Sequence, residues 1–471
     1  MAVCEYCHNT LLKDAESVKN IGKMSDLLED YSPIGINTSG VFQGKAFGVV
    51  GRIQLRYEDG LWNEWYVLFA DGSDGWLSDA SGQYVFTLRE PDAPQVPRFE
   101  QLAPGYVYLW KGEPFVAADV RTARCIAGQG ELPFRVGQGW EAKVADFRSV
   151  NRFLTLDYSD VGSGNDTAQL FFGRSVSLDD LRCQLLRSDN DIASASGRFK
   201  GKTTALACPS CGSAINYQPG MAVHVVCPSC CAEVDCTADQ AVILQKQEEI
   251  ARVATTLSLG DTGSIDTVQY SVIGLMKCRD PDPDEPSEWI EYLLFNARIG
   301  FLWLVESSEG WDRVEVLNEW PKALSADTLS FRDQQYKKLY EYDAIVLYAA
   351  GAFNWRISIG DKTHLADYAK GDQKLSAETT AEEMTWSAAR KVSQQQVAGW
   401  FGKASAVQSE SSAGKSPAVT ARTALVYSCL IAALNVPLSF ASGRRGLLVI
   451  LVALLLIWAP LAIAKFFSDA S

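Results

Sequence analysis

One stretch of this chain returns without a gap 221 residues later, and that recurrence limits the fold more than any other feature. Gly130-x-Leu-x-Phe134-Arg135-Val136-x-x-Gly139 precedes Ala145-Asp146-Phe147, and Gly351-x-Phe-x-Trp355-Arg356-Ile357-x-x-Gly360 precedes Ala366-Asp367-Tyr368. A second match lies upstream of each. Trp62-x-Glu64-Trp65 stands fourteen residues before Trp76-Leu77, and Trp289-x-Glu291-Tyr292 the same fourteen before Trp303-Leu304. Agreement at so many Gly, Arg, acidic and aromatic positions marks two copies of one module, at residues 31–190 and 257–401.

The pattern inside each copy is that of strands. Phe47–Tyr57 alternates in short β-branched runs and Glu58-Asp-Gly60 supplies a turn. Trp65–Phe69 reads as a buried strand, and Asp71–Gly75 as the turn into Trp76-Leu77. Further strands fit Tyr106–Leu109, Phe115–Val120 and Phe134–Val136. Many short strands at close spacing predict a mainly β chain with two sandwich or barrel-like modules. Three segments carry helical spacing instead: Val176–Leu186, Thr237–Thr256 and Ala377–Phe401.

Between the copies lie Cys208-Pro-Ser-Cys211 and Cys227-Pro-Ser-Cys230, the spacing of a zinc ribbon over residues 207–236, preceded by a polar linker at 191–206. Thiolates are soft ligands, and two Cys-x-x-Cys turns set four sulfurs around one tetrahedral ion. Four sulfurs leave no position for water or substrate, so Zn2+ here is expected to be structural. Cys231 stands where such knuckles commonly have Gly, and Cys236 follows; both read as spare thiols, or as a redox-sensitive or alternative ligand set. Residues 1–30 open with Cys4-x-x-Cys7-His8, and Ala2-Val3-Cys4 resembles Val225-Val226-Cys227. Two cysteines make half a tetrahedral site. Either a preceding Cys pair lies upstream of Met1, or distant ligands such as His8, Cys125 or Cys183 share the ion, or these are plain thiols.

After a Ser/Ala/Gly-rich tether at 402–422, the apolar segments Thr423–Ala441 and Gly446–Ala464 flank Ser442-Gly-Arg-Arg445. Nineteen uncharged residues in the second suffice to cross a bilayer, so a transmembrane helical hairpin over 423–464 is expected. Lys403, Lys415, Arg422 and Lys465 outnumber the loop arginines and place both ends in the cytoplasm. No basic region followed by an apolar run opens the chain, and the cysteine spacing suits a reducing compartment.

A net charge of −14 excludes a surface that tracks nucleic-acid phosphates. The three histidines, His8, His224 and His364, sit in no arrangement suited to hydrolytic catalysis. Gly197–Thr203 has three residues between its glycines where a phosphate loop needs four, and reads as a basic linker. Asp280–Pro286 lacks the glycine turn and terminal Glu of a calcium loop and reads as solvated. The polar positions kept in both copies are Glu64/Glu291, Arg135/Arg356 and Asp146/Asp367. They either form internal Arg–carboxylate pairs that hold the sheet together or line a ligand site.

The Val49-Val-Gly-Arg-Ile-Gln-Leu55 run, Trp62-Asn-Glu-Trp65 and the later Gly-x-x-x-aromatic-Arg pattern resemble a bacterial domain-of-unknown-function family, number 4178, over Ser32–Arg187 and Leu257–Val392. The resemblance implies zinc-ribbon knuckles beside the domain and a genomic setting near membrane-stress, polyamine-synthesis and small membrane-protein genes. It carries no activity and no catalytic residue. The expected function is a scaffold or interaction protein with protein partners at the cytoplasmic face of the bacterial inner membrane. The competing expectation is an anion sensor clamped by Arg135 and Arg356, and an enzyme is the third.

Overall fold

A computed structural model describes residues 32–403 apart from short gaps and the longer stretches 193–205, 216–223, 236–241 and 246–252, together with the backbone of 2–3, 9–14 and 17–23. The barrels and ribbon below belong to one compact unit, Met1–Gly402.

The first copy builds eight barrel strands: β1 (Lys45–Arg56), β2 (Leu61–Phe69), β3 (Asp74–Ala80), β4 (Gln83–Glu90), β5 (Glu113–Glu131), β6 (Trp140–Ser149), β7 (Arg152–Asp157) and β8 (Gln169–Val176). They pair antiparallel in the order β5-β6-β7-β8-β4-β3-β2-β1, and β1 returns to β5, closing the barrel. The second copy repeats this with β9 (Val268–Asp280), β10 (Ser287–Asn296), β11 (Gly300–Ser307), β12 (Gly310–Val316), β13 (Gln334–Phe353), β14 (Lys362–Lys370), β15 (Gln373–Thr379) and β16 (Met384–Val392). Its order is β13-β14-β15-β16-β12-β11-β10-β9, with β9 paired to β13. Closure removes the open edges that a sheet of this size would otherwise expose.

The seam of each barrel explains the first glycine of the repeated motif. Gly51 faces Gly130 across β1 and β5, and Gly274 faces Gly351 across β9 and β13. A Cβ on Gly51 would lie 1.9 Å from the carbonyl oxygen of Glu131, and one on Gly351 2.3 Å from that of Ile273. Gly130 and Gly351 also take φ of +71° and +98°, a region costly to side-chain-bearing residues.

Alternation along the strands separates the two faces of each barrel wall. Thr122, Arg124, Glu141 and Arg174 are exposed, which marks their parity as outer. The opposite parity is lumenal and carries Ile53, Leu55, Tyr66, Ala123, Cys125 and Ala142. Two outer faces are covered by other parts of the chain. Residues 32–42 and 177–187 lie over Trp65, Val67, Leu77 and Phe86, while 96–110 and Tyr158 cover Phe115, Phe147, Leu154 and Leu170.

Four expectations change. Val176–Leu186 forms turns, with Arg182 and Leu185 at positive φ, because it runs beside Ser39–Val41 and inserts Leu181 into the outer core. Phe134–Val136 is a loop whose Phe134 stacks on Trp76, ring centroids 5.9 Å apart. Within Thr237–Thr256 the segment Val242–Gln245 is a strand paired to Glu233–Asp235, and 237–241 and 246–252 lie outside the described residues. Of Ala377–Phe401 only α1 (Gln394–Phe401) is helical, capped by Ser393 and by Gly402 at φ +66°. Its upstream part is strand because β16 fills the slot between β15 and β12, where cross-strand pairing outweighs alanine's helix preference.

The expected hairpin at 423–464 and residues 404–422 of the tether lie outside the described residues. No helix among the described residues is long and apolar enough to cross a membrane.

Candidate functional site

The ribbon is two short hairpins. Leu206–Ala207 pairs with Ala214–Ile215, and His224–Val226 with Glu233–Asp235. Each bends through a matching knuckle. The N–H of Gly212 donates to the carbonyl of Cys208 at 2.8 Å, and the N–H of Cys231 to that of Cys227 at 2.8 Å. Gly212 and Cys231 both take positive φ, +76° and +46°, so Cys231 does occupy the glycine position of the second knuckle. Its thiol is buried, while Cys236 lies outside the described residues.

These turns gather the Sγ atoms of Cys208, Cys211, Cys227 and Cys230 within 4.8 Å of one another. Cys208 and Cys230 stand 3.7 Å apart, and Cys211 and Cys227 3.8 Å. A zinc ion with sulfurs at about 2.3 Å sets tetrahedral edges of about 3.8 Å, so the four thiols fit a metal ion of that size and geometry. The hydroxyl and backbone of Ser213 hold the Cys211 thiol down to about 6, while burial pushes Cys227 up to about 12 and raises Cys230.

The second hairpin is fused to barrel two. His224, Val225 and Val226 pair with Phe353, Ala352 and Gly351 at the end of β13. The N-terminal strand Ala2–Val3 does the same on barrel one, pairing with Glu131 and Gly130 of β5. Val3 thus faces Gly130 as Val226 faces Gly351, and the likeness of the two segments becomes a shared docking position on the seam. Cys4, Cys7 and His8 lie outside the described residues.

The repeated carboxylates turn into the lumens. Trp62 Nε1–H donates to Glu64 at 2.8 Å, and Trp289 Nε1–H to Glu291 at 2.7 Å. Thr155 donates to Asp146 and Ser376 to Asp367, each at 2.6 Å. A third repeated acid escaped the sequence comparison: Asp157 and Glu378 also stand 221 residues apart and face the same lumens. Its signal was the same constant offset, hidden because one copy has Asp and the other Glu. Burial pushes Glu64 up to about 7, with the charges of Asp146 and Asp157 adding to the shift. Asp146, Asp157 and Glu291 are raised above the usual carboxylate range, burial being the main cause. Burial, and then the charge of Glu291, drive Glu378 to about 8. Lys374 Nζ lies 3.3 Å from the fully buried Asp367.

The repeated arginines do not pair with these acids. Arg135 sits exposed on the loop after β5. Arg356, at the corresponding place after β13, spans three parts of the molecule. Its backbone N–H donates to Asp59 O at 2.6 Å, its Nη1 to Glu58 at 3.1 Å, and its Nε stands 3.5 Å from ribbon residue Glu233. At 3.5 Å the last is an ion pair without a hydrogen bond. The expected Arg–carboxylate pair inside each module is therefore replaced by separate duties. Acids line the barrels, and one arginine ties barrel one, barrel two and the ribbon together.

A second junction was illegible in the sequence. Arg121, 6% exposed, lies 2.5 Å from Asp119, donates to Glu383 of barrel two at 2.9 Å, and stacks 4.0 Å over Tyr57. Burial leads the rise of Asp119 to about 7, opposed by the charge of Arg121.

Fold and sites together define a tandem of closed eight-stranded antiparallel barrels that carries a four-cysteine metal-type ribbon fused to one seam. The family described as Domain of unknown function (DUF4178) matches at residues 35–177 and 258–394, more than half of the chain, and this protein belongs to it. No curated protein matches the chain, and no solved structure does.

Proposed function

We propose that this chain is a non-catalytic scaffold at the cytoplasmic face of the bacterial inner membrane, anchored by a hairpin at 423–464 and organising protein partners through its barrel-and-ribbon unit. The observation that carries the reading is the continuous pairing of ribbon strand His224–Val226 with β13. A metal on the four cysteines would then brace a surface built from several parts rather than a detached finger. Zinc is the ion this set fits best, since four soft thiolates at tetrahedral spacing leave no vacant coordination position. Glu233 extends the bracing, because it sits on the ribbon and reaches Arg356, which in turn holds the Glu58–Asp59 turn of barrel one. The tether at 402–422 gives the unit reach from the bilayer.

The test is a tagged pull-down from detergent-solubilised membranes with wild type and Cys208→Ser/Cys211→Ser, alongside metal analysis of both. A defined partner and about one zinc per chain with the wild type, both lost in the variant, support the scaffold. Wild-type protein that elutes alone with its zinc retained counts against it.

A further inference from the structure

The two copies differ at one edge. In each, an outer hairpin leads into the long barrel strand: Val107–Trp110 pairs with the start of β5, and Thr328–Phe331, 221 residues later, with the start of β13. Both hairpins turn through two residues at positive φ, Lys111-Gly112 and Arg332-Asp333. In barrel two a further strand, Lys322–Ser325, pairs with the outer edge of Thr328–Phe331. In barrel one the stretch ahead of the hairpin winds instead into a 3-10 turn, Phe99–Gln101. Among the described residues no strand covers the outer edge of Val107–Trp110.

Backbone direction makes that edge a template. The N–H of Ala117 donates to Tyr106 O at 2.8 Å. Alternation along the ladder then turns the N–H and C=O of Tyr108 and Trp110 toward β5, and those of Val107 and Leu109 away from it. Tyr108 and Trp110 bury their side chains in the outer core, while Val107 and Leu109 are 54% and 68% exposed. Pro114, opposite Leu109, is exposed on the same face. Apolar side chains on an open edge are what natural sheets ordinarily avoid. Barrel two shows the avoided form: Thr328 and Ser330 stand at these positions, cross-strand from Ser325 and Lys322.

The surroundings also say what fits. Lys322–Ser325 is a direct precedent for one antiparallel strand on this edge. A four-residue edge is about 13 Å long and one strand wide. That is a small part of the roughly 1,200–2,000 Å² buried in a stable dimer, so the edge alone does not hold a second copy. The apolar face continues inward as well. Val116, opposite Val107, packs against the barrel-two cluster of Trp320 and Phe331, so a strand laid on Val107 and Leu109 extends an interface already made. Leu109 and Val107 call for β-branched or aromatic partners, where Ser330 and Thr328 take polar ones.

We propose that Val107–Trp110 binds an extended segment of a partner protein as an antiparallel third strand, with β-branched or aromatic side chains opposite Val107 and Leu109. This supplies a surface and a partner class for the scaffold reading, and rests on it.

The experiment pans a phage library of random dodecapeptides against the full chain in detergent, then titrates the most enriched peptide by fluorescence anisotropy. The expected sequences carry β-branched or aromatic residues at alternate positions and bind at one site per chain. Leu109→Pro removes an outward N–H from an edge strand, where proline is tolerated, and should melt like the wild type while binding roughly tenfold more weakly or worse. Val107→Thr/Leu109→Ser carries the barrel-two residues, keeps every backbone donor, and should weaken binding about threefold or more. That second variant decides the question if Leu109→Pro does not fold. Peptides without alternation, or unchanged affinity in either folded variant, would overturn the proposal. A wild-type dimer in sedimentation that Leu109→Pro abolishes would overturn it in favour of a second copy. Failure of the edge and failure of the scaffold read differently. A membrane pull-down partner retained by folded Leu109→Pro removes the edge and leaves the scaffold standing, whereas wild type that elutes alone removes the scaffold.

Discussion

Replacing Glu378 by Gln is expected to stabilise the protein, and to do so only at high pH. Burial and the neighbouring charge of Glu291 raise Glu378 from the ordinary 4.5 to about 8. The folded chain therefore keeps a proton on this group across a window in which the unfolded chain has released it. Stability contributed by the proton is fully present below pH 4.5, declines as pH rises, and is gone above about 8. A shift of that size corresponds to about 5 kcal/mol at full strength. Contact with the lumen and local relaxation reduce it, and roughly 2–4 kcal/mol is the expected range. Glutamine keeps the shape of the protonated acid and cannot ionise. Urea titrations followed by tryptophan fluorescence at pH 5 and pH 9 would measure the difference. Near-equal stability of variant and wild type at pH 5, with the variant about 2–4 kcal/mol more stable at pH 9, is the expected pattern. A variant that is destabilised equally at both pH values would refute the reasoning, since Glu378 would then act as an ionised partner in the folded state.

Other perturbations test other parts of the fold. Removing metal with a strong chelator should loosen the ribbon, and limited proteolysis should then cut within 206–235 before either barrel is attacked; simultaneous cutting everywhere would argue against a separately braced ribbon. Gly351→Val should prevent barrel two from closing, because its Cβ meets the Ile273 carbonyl at 2.3 Å, whereas Gly371→Val, with open space around it, should fold with a smaller loss; soluble yield and circular dichroism distinguish them. Arg121→Leu removes the guanidinium shared by Asp119 and Glu383 and should cost about 1–3 kcal/mol at neutral pH, less at pH 5 where Asp119 holds a proton with or without Arg121, as urea titration would show.

Much of this molecule could be read along the chain. Duplication was carried by the constant offset, and strands by alternation, since a wall with one covered face needs period-two sequence wherever it runs. The cysteine site was legible because two Cys-x-x-Cys turns are local geometry and need only a hairpin each to converge. Even the likeness of Ala2–Val3 to Val225–Val226 marked a common place on the seam. Helical expectations failed at Val176–Leu186 and Ala377–Val392 for a shared reason: apolar spacing states what is to be buried, and the neighbouring strands decide in which backbone form.

Tertiary structure alone decided the use of the polar residues. Asp146 and Asp157 lie on the paired strands β6 and β7, but Glu64 lies on β2, and only closure of the sheet turns all three toward one lumen, where the charges of Asp146 and Asp157 raise the proton affinity of Glu64. Arg135 and Arg356 have the same sequence surroundings, yet one faces solvent and the other joins three parts, because the Glu58–Asp59 turn that receives Arg356 belongs to the opposite barrel. Repetition in sequence fixes what each copy can fold into by itself. Where two copies touch, their identical motifs meet different surroundings, and charge placed there acquires a role that neither copy carries alone.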